Sequence, residues 1–372
     1  MKISCNREKL LAAFQIAASV APSRSPKPIL QNVKLDVTDR GAVMMATDME
    51  VGIRVNVDGI EVRTPGSVVL PVDRFGSILR ESSDETLQIE ALENGTIVRG
   101  DRSKFQLTAM NPEEFPSVAG FGETKFHRVQ ARLLKELIRR TLFAVDTESG
   151  RFALSGVLLE MSDKQMIAVG SDGRRLAKME GPAESIEGHA TSPDSPTIVP
   201  ARAMQLIERA LTDGEEMIDI AARQNDLLVR SPRFEVYSRL VEGKFPRWRD
   251  VIPHRDHSMR VAIQAGPLHA SVRQAAIVAD SESRGVDFAF GKGTLVIQGA
   301  SDSAGESRIE LPIAYDGDEV TATLDFRYVA EFLKALELEK NATLDVADSE
   351  SAALFTTDDG YAYVVMPLSK PR

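Results

Sequence analysis

Apolar residues fall into two rhythms that recur along the chain. A helical rhythm runs through Leu10, Phe14 and Ala17, through Leu134, Ile138 and Thr141 with Leu137 and Leu142 beside them, and through Leu268, Val272 and Ala275. Each predicts an amphipathic helix with one apolar face. A polar loop and a strand-like run follow each time, at Val33-Lys34-Leu35-Asp36-Val37, Val157-Leu158-Leu159 and Val286-Asp287-Phe288. Next comes an apolar run, a tip of small residues with Asp, and renewed alternation. Met44-Met45-Ala46-Thr47-Asp48 leads to Val51, Ile53 and Val55, Gly170-Ser171-Asp172-Gly173 leads to Arg174-Arg175-Leu176-Ala177, and Leu295-Val296-Ile297 leads past Ser301-Asp302 to Ile309 and Leu311. These predict hairpins, with Asp or Gly where a turn needs a local side-chain bond or unusual backbone angles.

A second helical rhythm opens after an extended entry in each case. Phe75, Ile78 and Leu79 follow Val69-Leu70-Pro71, Met204, Ile207 and Leu211 follow Ile198-Val199-Pro200, and Val329, Phe332, Leu333 and Leu336 follow Thr323-Leu324-Asp325. Pro and Asp suit the free N–H groups of a first helical turn. Alternating runs close each unit, ending in Phe105-Gln106-Leu107, Phe234-Glu235-Val236 and Tyr361-Ala362-Tyr363. Asp48, Asp172 and Asp302 lie 124 and 130 positions apart, so the repeat is a whole domain rather than a solenoid unit. Boundaries are expected near 124 and 254, giving domains 1–124, 125–253 and 254–372. The connecting segments Glu113-Glu114-Phe115-Pro116 and Gly243-Lys244-Phe245-Pro246 are rich in turn formers. The expected class is α+β, each domain placing two helices on one face of a mostly antiparallel sheet.

Composition narrows the function. The formal net charge of −10 argues against a protein that grips nucleic acid over its whole surface, leaving room for a basic face inside an acidic shell. The single Cys5 rules out an internal disulfide framework and fits a reducing, cytoplasmic setting. No apolar run is long enough for a membrane span.

Catalytic patterns are weak. The histidines, His127, His189, His254, His257 and His269, are scattered without metal-ligand spacing; His254 and His257 flank Asp256 in a Pro-containing linker. Gly291-Lys292-Gly293-Thr294 lacks the P-loop frame and reads as a hairpin turn. Ser171-Asp172-Gly173 lacks the nucleophile-elbow frame, and Cys5 is flanked directly by Ser4 and Asn6 rather than by a basic residue. The rival from another class is a hydrolase or transferase using Asp172, Arg174 and Arg175 between the second and third domains.

The motifs Pro28-Ile29-Leu30-Gln31-Asn32, Thr47-Asp48-Met49-Glu50, Ser171-Asp172-Gly173-Arg174-Arg175-Leu176, Gly243-Lys244-Phe245-Pro246, Arg284-Gly285-Val286 and Tyr363-Val364-Val365-Met366-Pro367-Leu368 resemble, in order and over the whole chain, the bacterial replicative sliding clamps, the β subunits of DNA polymerase III. The resemblance implies a head-to-tail homodimer of clamp-type domains, each chain half of a closed ring lined by helices around duplex DNA. It implies sequence-independent enclosure of DNA and docking of the replicative polymerase, the clamp loader and other proteins with a clamp-binding motif. It implies no covalent chemistry, cofactor, metal or membrane. A clamp paralogue serving repair or drug resistance is the alternative within the family.

Carried over residue by residue, the resemblance implies a partner-peptide groove at Leu154, Ser171, Gly173, Arg174, Arg175, Leu176, Pro246, Val251, Tyr328, Val364, Val365, Met366, Pro367 and Leu368. In that terminal run, alternation places half the side chains inward and half toward the groove. The resemblance further implies DNA-facing Arg24, Arg74, Arg80 and Arg202, and a dimer contact between Phe105 and Leu107 of one chain and Ile277 and Val278 of the other. The chain departs from the family pattern at Asp73, Glu148, Arg174, Ala201, Asp250 and Ser283.

Overall fold

The computed structural model describes residues 1–108, 110–147, 152–254 and 259–368. Glu148, Asp256 and His257, all singled out above, lie outside the described residues. The helices are α1 (Arg7–Ala18), α2 (Val72–Glu81), α3 (Ala131–Thr141), α4 (Ala201–Ala210), α5 (Trp248–Val251), α6 (Ala265–Ala275) and α7 (Phe326–Lys334). All but α5, a single turn, are those the periodicity predicts. Their starts have local causes: the Asn6 side chain accepts from the Lys9 N–H at α1, Pro71 precedes α2, and the Asp325 carboxylate accepts from the Arg327 N–H at α7. The two side-chain caps, Asn6 and Asp325, are each worth about 1 kcal/mol.

The described residues form two compact units, one of Met1–Arg132, Glu184–Ala190 and Arg202–Leu240, the other of Leu133–Ala183, Thr191–Ala201 and Val241–Arg372. In the first unit a five-stranded sheet runs from Ile60–Thr64 through Lys2–Asn6, Thr86–Leu92 and Gly95–Arg99 to Lys104–Leu107. A nine-stranded sheet begins at Glu184–Ile186 and ends at Gly66–Pro71. At its centre Val51–Val57 pairs antiparallel with Phe234–Arg239, Ile53 opposite Val236, so one sheet spans the first two repeats. The second unit has an eight-stranded sheet in which Arg175–Pro182 pairs antiparallel with Ala362–Val365, Leu176 opposite Val364, joining the last two repeats in the same way. Its four-stranded sheet runs from Gly305–Pro312 to Val320–Asp325.

Helices seal these sheets through aromatic contacts. Phe14 of α1 meets Phe75 of α2 edge-on at 5.3 Å. In the second unit Phe332 of α7 stacks on Tyr363 at 4.9 Å. Arg140 is 2% exposed, holding Asp359 at 2.6 Å beneath the Tyr361 ring. Cys5 lies on the buried side of its strand and donates to the Leu87 carbonyl at 3.2 Å; burial pushes its thiol pKa up to about 12.

Candidate partner groove and strand edges

The sequence builds the same turn twice. Ser171 Oγ donates to the Arg175 carbonyl at 2.8 Å and accepts from the Gly173 N–H at 3.1 Å, while Asp172 Oδ1 accepts from the N–H groups of Arg174 and Arg175 at 2.9 and 3.0 Å. Thr47 and Asp48 repeat every bond: Thr47 Oγ1 to the Val51 carbonyl at 2.8 Å, Met49 N–H to Thr47 Oγ1 at 2.9 Å, and Glu50 and Val51 N–H to Asp48 Oδ1 at 3.0 and 2.7 Å. The third tip position is left-handed in both, Gly173 at φ 89° and Met49 at φ 82°, a conformation Gly adopts without strain. The next strand docks alike: Met366 N–H donates to the Arg174 carbonyl and Arg239 N–H to the Glu50 carbonyl, each at 2.9 Å. The third copy departs from this pattern. Its turn is held by Ser301 Oγ, accepting from the Ala304 N–H at 3.1 Å, and Gly305 takes the left-handed position.

Leu176 and Val364, paired on adjacent strands, form the floor of an apolar cluster with Leu158, Val169, Ile198, Leu354 and Trp248. Trp248 arrives from the linker after Pro246; its indole N–H donates to Glu160 at 3.0 Å, and Arg249 grips the same carboxylate at 2.7 and 3.1 Å. Burial raises the Glu160 pKa, but the hydrogen bonds from Arg249 and Trp248 outweigh it and hold the carboxyl below its usual range. A cavity of about 1090 Å³ lies against Leu158, Glu160, Ile167, Phe245, Pro246 and Trp248, large enough for a few apolar side chains. Arg174, Pro246, Val251 and Met366 are exposed around the cluster, and Tyr328, Pro367 and Leu368 are half-buried. Leu154 is buried, its carbonyl accepting from the Asp146 N–H at 2.9 Å.

Val364 and Val365 alternate between the two faces of the sheet, but neither side chain is exposed. Both are buried, because the sheet is covered on both faces: Val364 sits in the Trp248 cluster, and the helix side carries the Phe332 and Tyr363 stack. Leu368 then turns back, its N–H donating to the Thr323 carbonyl at 2.8 Å.

Arg175, expected in the groove, is held by contacts within the chain. It is 9% exposed, with Nε on Asp172 at 3.0 Å, Nη2 on the Phe143 carbonyl at 2.6 Å, Nη1 on Glu331, and its plane 4.3 Å from the Tyr328 ring centre. Burial, with the Asp172 charge adding to it, raises the Tyr328 phenol pKa. Both Asp172 oxygens are engaged in the turn and by Arg175, so that carboxylate shapes the site.

The arginines expected to face DNA are all exposed: Arg24 after α1, Arg74 and Arg80 on α2, and Arg202 on α4. Arg202 also has a structural engagement, its Nε 3.1 Å from Asp48 Oδ2 and its Nη2 donating to the Val20 carbonyl at 2.9 Å. Among the expected interface residues, Phe105 is 38% and Ile277 79% exposed, Val278 is half-buried and Leu107 is buried. Lys104–Leu107 and Gly305–Pro312 each end a sheet, with no strand on their outer side among the described residues. Sequence reasoning missed the Gly305–Pro312 edge and the Trp248–Glu160 tie; the alternation through Ile309 and Leu311 and the lone Trp beside Pro246 were the available signals.

Repeated domains joined through shared sheets, carrying an apolar groove at the second junction, define a scaffold of clamp type. Among the described residues no group of three or more His, Cys, Asp or Glu is placed to hold a metal, and no helix is long and apolar enough to cross a membrane. Family models for the N-terminal, central and C-terminal domains of the DNA polymerase III beta subunit match residues 1–119, 128–247 and 249–369. The chain is 30% identical to the beta sliding clamp of Pseudomonas putida, over 99% of this chain and 100% of that one. A crystal structure of the Pseudomonas aeruginosa sliding clamp bound to griselimycin matches with TM-score 0.91 at 28% identity, covering 100% of both chains. The Bacillus subtilis sliding clamp shares the fold, with TM-score 0.93 at 22% identity and 100% of both chains covered. The chain belongs to the DNA polymerase III beta subunit family.

Proposed function

We propose that the chain forms half of a ring that encloses duplex DNA, holding polymerase and other DNA-processing partners on the template as a DNA sliding clamp and processivity factor. One observation carries the ring. In the first two repeats the strand after the turn pairs with the last strand of the following repeat. In the third repeat the corresponding strand Gly305–Pro312 is an outer edge among the described residues, and so is the last strand of the first repeat, Lys104–Leu107. A second copy supplies each missing neighbour, and the head-to-tail contact closes after two chains. Lys104 lies on one edge and Glu306 on the other, where Arg308 holds Glu310 at 3.0 Å. Sedimentation is expected to give twice the 40.7 kDa chain mass; a monomer at micromolar concentration overturns the reading.

Enclosure explains the acidic composition. Retention by topology needs only weak, exchangeable phosphate contacts, whereas many ion pairs would bind tightly and lose affinity steeply with salt. Charge reversal at Arg24, Arg74 and Arg80 together is expected to slow loading onto circular DNA several-fold while leaving peptide affinity unchanged; unaltered loading removes these residues from the DNA-facing set. The protein would work without catalysis, in the cytoplasm, with domain limits at 124 and 253.

The groove would take short extended peptides bearing Leu or Phe from the polymerase, the clamp loader and other clamp-binding proteins, seated over Leu176 and Val364 with the Met366 thioether at the margin. Because Trp248 packs in the same cluster, such a peptide should change its fluorescence saturably. A flat signal, with no competition by unlabelled peptide, counts against the groove.

A further inference from the structure

The arginines expected to face DNA, Arg24, Arg74, Arg80 and Arg202, all belong to the first unit. The second unit carries cations of its own on its helices. There α6 buries Leu268, Val272 and Ala275, and α7 buries Val329, Phe332 and Leu333. His269 and Arg273 stand four positions apart on α6, the spacing of neighbours on one helix face, and outside that buried set. Lys334 ends α7, the helix packed against α6. Arg273 and Lys334 are exposed, and His269 is half-buried.

These three groups act on one another with a single sign of charge. Burial lowers the His269 pKa, and Arg273 and Lys334, both positive, lower it further. At pH 7 the imidazole is therefore neutral, free of charge yet still able to donate one N–H. Neither Arg273 nor Lys334 has an ion-pair partner among the described residues. The other charged side chains of α7 are already engaged, Glu331 by Arg175 and Arg327 by Asp325. The helix dipole favours a cation in each last turn, but it does not require two of them to converge on one imidazole.

We propose that Arg273, Lys334 and His269 form a seat for the phosphates of enclosed duplex DNA, giving the second unit its own contact with the backbone. This rests on the ring reading given above. In a chain of net charge −10, two adjacent cations without a carboxylate match a polyanion and little else on the protein. Contacts to phosphate position a duplex without reading its sequence. So few of them stay weak and exchangeable, as sliding needs.

The affinity of the dimeric protein for a short linear duplex, measured across a range of salt, tests the seat. Each phosphate contact adds about 0.9 to the steepness of log K against log salt, so Arg273→Gln and Lys334→Gln combined should lessen it by about 1.8. Dimer mass and peptide affinity should not change. Lys292→Gln removes the same charge from a hairpin of the four-stranded sheet and should leave the steepness as it was. The His269 titration, followed by imidazole NMR, should move to higher pH when duplex is added, because phosphate offsets the two cations. An unchanged steepness in the double variant, or a His269 titration that duplex does not move, overturns the seat and leaves the ring standing. An equal loss per charge in Lys292→Gln also overturns it, since net charge would then account for the effect. A dimeric wild type that binds no duplex at any salt overturns the seat and the enclosure of DNA together.

Discussion

Ile277→Asp is expected to turn the dimer into a monomer in sedimentation while changing fold stability by no more than about 0.5 kcal/mol. Ile277 is 79% exposed in the single 3₁₀ turn just past α6, so its removal opens no cavity within the chain. If it is instead covered by a second chain, a carboxylate there meets an apolar contact and desolvates without a partner. Central interface residues of this kind cost about 2–4 kcal/mol on truncation, and a buried charge costs more. Retention on nicked circular DNA should then disappear although peptide binding persists. A variant that remains dimeric would take Ile277 out of the interface and leave Phe105, 38% exposed, as the residue to change next.

Arg175→Ala should have the largest effect on stability, about 3–5 kcal/mol, the range for breaking a buried charge cluster on one side. Truncation leaves Asp172 and Glu331 without their shared cation, frees the Phe143 carbonyl and removes the plane against Tyr328. The urea midpoint of the transition reported by Trp248 fluorescence should fall, and peptide affinity with it, because the turn that presents Gly173 and Arg174 loses its brace. Arg175→Lys should recover only part, since an ammonium cannot reproduce the planar fork. If Arg175→Ala keeps full stability yet loses peptide binding, Arg175 touches the peptide directly.

The six longer helices and the hairpin turns were legible because their causes are local. A helix must repeat its apolar positions every three to four residues, and a turn that closes on a carboxylate needs Asp at its tip, as at Asp48 and Asp172. Asp302 kept the spacing without the geometry, since the third turn is closed by Ser301. What stayed hidden depends on distant partners. Whether Val365 is exposed turns on a helix supplying Phe332 to the other face of its sheet. Nothing along the chain shows that Glu331 and Tyr328 of another repeat will enclose Arg175, and His127 has no visible relation to His189. The free edge at Gly305–Pro312 was invisible for the same reason, as an edge is defined by what does not pair with it.

Because the sheets cross the repeat junctions, the units recognisable in sequence are not units that can be cut apart safely. A fragment ending near 124 would strip Val51–Val57 of Phe234–Arg239, and one ending near 253 would strip Arg175–Pro182 of Ala362–Val365. Each cut bares a row of unpaired amides and carbonyls flanked by Val, Ile and Leu, the kind of surface on which foreign strands assemble into insoluble aggregates. Truncated versions should therefore be made by trimming loops, with every repeat kept.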